Sequence, residues 1–127
     1  MTPTALSLRH LRAEGWLVDV CERWVPSPNG QVRKDLFGII DLIAVRGPVT
    51  MGVQTTSHTN AHARLNKMLD AEHSPMVDAL MAAGWRVVVH GWRLSTRDGH
   101  ACPHGRSRCG CRWTLHHFTD LSLGVVP

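Results

Sequence analysis

The segment 35–45 (DLFGIIDLIAV) constrains this chain more than any other. It is apolar at nearly every position. That pattern predicts a central β-strand covered on both faces, as in α/β sheets, rather than a strand with one wet side. Asp41 interrupts the run. An unpaired carboxylate among aliphatic side chains costs on the order of several kcal/mol. Two arrangements relieve that cost. One is an arginine partner, for instance Arg23 or Arg64. The other is a place at the edge of a site, where the carboxylate meets a cation.

The flanking sequence supplies helices and further strands. Residues 4–14 place Ala5, Leu8 and Leu11 at helical spacing, with Thr4 able to cap and Gly15 able to stop the helix. Residues 16–24 (WLVDVCERW) are rich in β-formers and read as a strand, followed by a turn at Pro26, Pro28, Asn29 and Gly30. After a turn at Gly47-Pro48, residues 49–55 form a third strand. In 60–71, Ala61, Leu65, Met68 and Leu69 share one helical face. Ser74-Pro75 opens another helix, ended by Gly84. Residues 85–92 (WRVVVHGW) form a fourth strand, and 111–118 a fifth that returns beside it. The order helix, three strands, helices, strand predicts an α/β fold with a mixed central sheet. All of 1–127 is read as one domain, with the core in 4–92 and a Cys/His-rich loop at 100–112.

Charged residues make up 19% and hydrophobic residues 43%, a globular balance. No apolar run is long enough to cross a bilayer. Arg9, His10, Arg12 and Glu14 break up the N-terminal leucines, unlike a signal peptide, so a cytoplasmic location is expected. The net charge of +4 is uneven. Residues 1–91 hold nine Lys/Arg against eight Asp/Glu, whereas 92–127 hold five Arg against two Asp. A basic C-terminal end suits phosphate contact.

Gln54 and Thr56 lie two apart on the third strand and so face one side. A hairpin would bring Asp41 beside that face, and Glu22, at the end of the first strand, can join it. Carboxylate and amide oxygens suit Mg²⁺ or Mn²⁺, hard ions that can activate water against a phosphodiester.

The element order and the strings KDLFGIIDLIA (34–44) and GVQTTS (52–57) resemble the PD-(D/E)xK nuclease superfamily. They are most similar to its small phage-type, Holliday-junction-resolvase-like members. The resemblance implies a restriction-endonuclease-like core, metal-dependent DNA cleavage, possession by a phage or bacterial host cell, and a homodimer. It places Asp41 as the first metal-binding acid, Gln54 where a second acid is expected, and Thr56 where a lysine is expected. Glu22 matches an N-terminal acid. Because Thr56 carries no charge, Lys67 or Arg64 on the following helix would take the lysine's place. On this reading Asp41, Gln54 and Glu22 hold the ion, Lys67 orients water, and Arg64 and Lys67 contact DNA. Two alternatives stay open: a nuclease-fold protein that binds DNA without cutting, and a zinc-containing protein-interaction module.

The stretch 101–112 (ACPHGRSRCGCR) spaces Cys102, His104, Cys109 and Cys111 as C-x-H-x4-C-x-C. Three thiolates and an imidazole suit a closed tetrahedral Zn²⁺ site. Such a site would pin the loop and present Arg106, Arg108 and Arg112 to phosphate.

Overall fold

The computed structural model describes residues 1–104 and 110–123. Helix α1 (Pro3–Ala13) opens the chain. Its cap is Thr2 rather than Thr4: Thr2 Oγ1 accepts the Ala5 N–H at 3.1 Å. Pro3 follows in the first turn, where a missing N–H costs nothing. Gly15, at φ +88°, reverses the chain after the helix.

Among the described residues seven strands follow: β1 (Leu17–Val20), β2 (Arg23–Ser27), β3 (Gly30–Lys34), β4 (Leu42–Arg46), β5 (Val49–Ser57), β6 (Arg86–Ser95) and β7 (Arg112–Asp120). Between β5 and β6 lie a short 3-10 turn (His58–Asn60), helix α2 (Ala61–Met68) and helix α3 (Ser74–Ala82). Five strands form one sheet in the order β1-β4-β5-β6-β7, while β2 and β3 form a separate hairpin. The pairs β1–β4, β4–β5 and β6–β7 are antiparallel, and β5–β6 is parallel. The fold is therefore α/β with a mixed sheet.

Each face of that sheet buries its own core. Leu11 and Trp16 pack with Val18, Leu42, Ala44, Met51, Val53 and Val88 on the α1 face. Met68, Val77 and Leu80 pack with Ile39, Ile40, Val87 and Val89 on the face of α2 and α3. The alternation of Leu42 and Ala44 against Ile43, and of Val88 against Val87 and Val89, follows from the two-residue period of a strand. Helix α1 is further anchored by a buried polar chain. Trp92 Nε1 donates to Ser7 Oγ at 2.8 Å, and Ser7 Oγ lies 2.9 Å from His90 Nδ1. The indole can only donate, so the hydroxyl is free to give its hydrogen to His90 Nδ1. Gly91 lets α2 approach: a Cβ there would lie 2.8 Å from His117 Cβ, 3.1 Å from Ala61 Cβ and 3.2 Å from His58 Cα.

Several elements differ from the sequence expectation. The single strand expected at 16–24 is two, because the chain leaves the main sheet after Val20 and joins the β2–β3 hairpin at Arg23. The long strand expected at 35–45 is only Leu42–Arg46. Phe37 and Gly38 adopt φ +56° and +73°, and Leu36 bridges back to Ile40, so 36–40 is a tight loop. Ile39 and Ile40 are fully buried from that loop, which satisfies their apolar character without a strand. Helix α2 is shorter than 60–71, because Asp70 Oδ1 accepts the N–H groups of Glu72 and His73 at 3.0 and 2.8 Å and turns the chain. His73, not Ser74, occupies the cap of α3. Strands β5, β6 and β7 run to Ser57, Ser95 and Asp120, past their expected ends. Among the described residues, no helix is long and apolar enough to cross a membrane.

Candidate functional site

Asp41 stands immediately before β4 and is locked into the sheet from both sides. Its N–H donates to Val53 O, and its carbonyl accepts the Cys21 N–H, both at 2.8 Å. This register puts Asp41 at the same end of the sheet as the C-terminal end of β5. Glu22 lies there too, two residues past the last residue of β1. Asp35 follows β3, and the 36–40 loop then folds the chain back so that Asp35 and Asp41 lie together. Glu22, Asp35, Asp41, Gln54, Thr56 and Arg64 line one cleft of about 400 Å³.

Three donors converge on one oxygen of Asp41. Gln54 Nε2 donates to Asp41 Oδ2 at 2.7 Å, the Thr55 N–H at 2.8 Å and the Thr55 hydroxyl at 3.2 Å. Thr4 Oγ1 lies 2.8 Å from Thr55 Oγ1. Since Thr55 directs its hydrogen to Asp41, Thr4 donates in turn, and α1 becomes part of the support. Gln54 is 2% exposed, and its Oε1 has no hydrogen-bond partner among the described residues. A buried acceptor without a donor is costly, roughly 1–3 kcal/mol.

Glu22, Asp35 and Asp41 each offer a carboxylate oxygen, all within 4.8 Å of one another. Burial pushes the Asp41 carboxyl up to about 7; the Thr55 N–H pulls against this, and the adjoining Asp35 carboxyl adds to it. The same field reaches Cys21, whose thiol is pushed up to about 11 by burial, then by Asp41 and the other acids. The cleft is a place where negative charge is crowded and partly desolvated. Among the described residues no arginine or lysine pairs with Asp41, so neither Arg23 nor Arg64 neutralises it. Glu22 is held by Arg33 of β3.

The sequence-derived candidates thus divide. Asp41, Gln54, Glu22, Thr56 and Arg64 meet in the cleft. Lys67 lines a neighbouring cleft of about 440 Å³, with Arg23, Arg33 and Lys34; Asp35 lines both. Asp35 and the Thr4–Thr55 support are absent from the sequence-derived set. Their cue is weak: Asp35 follows a lysine at the edge of an apolar run, and nothing in the periodicity says that the run folds back.

A second cluster lies in the β6–β7 connection. Cys102 Sγ and Cys111 Sγ lie 3.5 and 3.6 Å from His104 Nδ1. Cys102, His104 and Cys111 could together hold a metal ion. Cys109, Arg106 and Arg108 lie outside the described residues. Arg112 begins β7, exposed, opposite Ser95.

Comparison of the chain with family models, with characterised proteins and with solved structures gives no match.

Proposed function

We propose that the protein is a metal-dependent deoxyribonuclease with a restriction-endonuclease-like core. One observation carries the reading: Glu22, Asp35 and Asp41 converge in one cleft, and Gln54 in the wall of that cleft keeps a buried Oε1 with no hydrogen-bond partner among the described residues. Crowded carboxylates with a spare amide oxygen are a ligand set for a hard cation. A cation there would also relieve the cost of keeping Asp41 ionised. The connectivity supports the same reading. With the inserted β2–β3 hairpin set aside, a helix, three antiparallel strands of the main sheet, a helical crossing and a parallel strand follow the order that the PD-(D/E)xK resemblance implies.

Asp41, Asp35 and Glu22 would hold Mg²⁺ or Mn²⁺, with Gln54 Oε1 as a neutral ligand. A bound ion supplies Lewis-acid polarisation of a phosphodiester and acidifies water at the site. The chain's own contribution is positional. Gln54 and Thr55 fix the Asp41 carboxylate through three hydrogen bonds. Arg64, at the wall of the cleft, balances charge on the phosphate, a part the lysine-less position 56 cannot play. In hydrolysis the water oxygen would bond to phosphorus as one P–O ester bond of the DNA backbone breaks, and the proton lost by the water would balance the one taken up by the departing oxygen as it leaves as a hydroxyl.

Wild type and Asp41→Ala are to be compared on linear duplex, single-stranded and four-way DNA with Mg²⁺ or Mn²⁺. Cutting is expected only in wild type and only with the ion. Cutting that persists in the variant would defeat the mechanism. Salt-dependent binding without cutting would favour a DNA-binding protein with this fold, the reading that Thr56 supports.

The Cys102–His104–Cys111 cluster is assigned to structural Zn²⁺. Soft thiolates and an imidazole match its ligand preference, and the site would tie the connection between β6 and β7.

A further inference from the structure

The β2–β3 hairpin has no place in either core. It stands outside the five-stranded sheet, and every residue of β3 is exposed. An isolated two-stranded hairpin stabilises a fold poorly, which leaves its composition to be explained by what it touches elsewhere. The end of the hairpin away from its turn is cationic and aromatic, with Arg23, Trp24, Arg33 and Lys34. Register pairs Arg23 with Lys34 and Trp24 with Arg33. Paired residues share a face, so Arg23 and Lys34 lie on one side of the ribbon and Trp24 and Arg33 on the other. Trp24 is 62% exposed, with the Arg33 guanidinium 5.8 Å from its ring centre.

Arg23, Arg33 and Lys34 meet Lys67 of α2 around the cleft of about 440 Å³ next to the acidic one. Against these four cations the same cleft has Asp35 and Glu72. Asp35 lines both clefts, so the basic and the acidic one adjoin. The basic cleft is complementary to a row of phosphates. The indole supplies the element a duplex cannot use, a flat surface for an unpaired base.

We propose that the β2–β3 hairpin is a grip for single-stranded nucleic acid. Arg23, Lys34 and Lys67 take the phosphates, and Trp24, on the ribbon's other face, stacks on a base of the same strand where it rounds the ribbon before entering the acidic cleft. This rests on the reading of that cleft as the hydrolytic site. It also explains the Arg33–Glu22 ion pair, which fastens the hairpin to the acid cluster.

The test is fluorescence anisotropy of a labelled oligothymidylate and of a matching duplex, over a salt series, with no added divalent ion. Binding is then read without cleavage. Wild type should prefer the single strand. Trp24→Ala should weaken single-strand binding about tenfold, while Trp24→Phe keeps it. Arg23→Ala/Lys34→Ala should flatten the log–log salt slope by about 0.7 for each phosphate that is no longer neutralised. All these side chains are exposed, so thermal melts should match wild type; a melt that falls with affinity calls for Arg23→Gln/Lys34→Gln, expected to show the same slope change. Equal affinity across the variants, binding that ignores salt, or preferential capture of an acidic polypeptide would overturn the proposal. Hairpin-dependent binding without any ion-dependent cutting would leave the grip standing and remove the hydrolytic reading. Cutting that is indifferent to the hairpin would do the reverse.

Discussion

At the scale of single residues, Asp41 is held in two conflicting ways. Three donors on Oδ2 favour its ionised form, while burial and the Asp35 carboxyl favour the protonated one. Burial prevails, and the group titrates near 7 in the folded chain against 3.8 when unfolded. Between those values the native state carries a proton that the unfolded state has lost. The stabilisation from Asp41 is therefore full below pH 3.8 and drains away as pH rises through about 7, at most about 1.4 kcal/mol per unit. His90 slopes the other way. Burial first, and then His10, lower it to about 4, so its contribution is lost as pH falls from 6.5 toward 4. The variant Asp41→Asn isolates the carboxyl, because His90 cancels in the comparison. Asparagine keeps an acceptor for Gln54 and Thr55 and imitates the protonated acid. Without added metal, denaturant melts should find Asp41→Asn near wild type at pH 4 and more stable than wild type at pH 8. A stability difference that does not change with pH would contradict this assignment.

At the scale of elements, the sequence discloses what periodicity can carry. The strands on either side of Gly47-Pro48 pair as a hairpin, and Asp41, Gln54 and Glu22 meet because that pairing and the end of β1 bring them to one edge. Two things are hidden for a physical reason. Left-handed backbone at Phe37, a non-glycine, is invisible to any hydrophobic pattern, so the apolar run 36–40 reads as a strand although it is a loop. The hairpin at 23–34 is largely exposed on both sides and so lacks the alternation by which strands are found. The connection between β6 and β7 carries its own test. If zinc ties it, protein purified without chelator should contain about one zinc per chain, and Co²⁺ in its place should show thiolate-to-metal absorption. Cys102→Ser and Cys111→Ser should each weaken metal binding by more than about 100-fold, since even outer partners of a metal ligand can cost that much. Stripping the ion should lower the melting temperature. Zinc at trace levels, with no such Co²⁺ spectrum, would leave the cluster without a metal.

At the scale of the whole molecule, the sheet separates two tasks. Its faces are apolar and bury α1 on one side and α2 with α3 on the other, so stability resides there. One end of the sheet gathers the acids, because β1, β4 and β5 begin or finish at it. The parallel step from β5 to β6 brings α2 back over the same end and places Arg64 at the wall of the cleft. The proposed function depends on that cleft gripping a divalent ion. Its most direct test is Mn²⁺ titration at pH 8, followed by electron paramagnetic resonance, of wild type and Asp41→Asn after any zinc site has been filled. Saturable uptake of Mn²⁺ is expected for wild type, and its loss in the variant while that variant stays folded. Identical uptake by both proteins, or none by wild type, would contradict it.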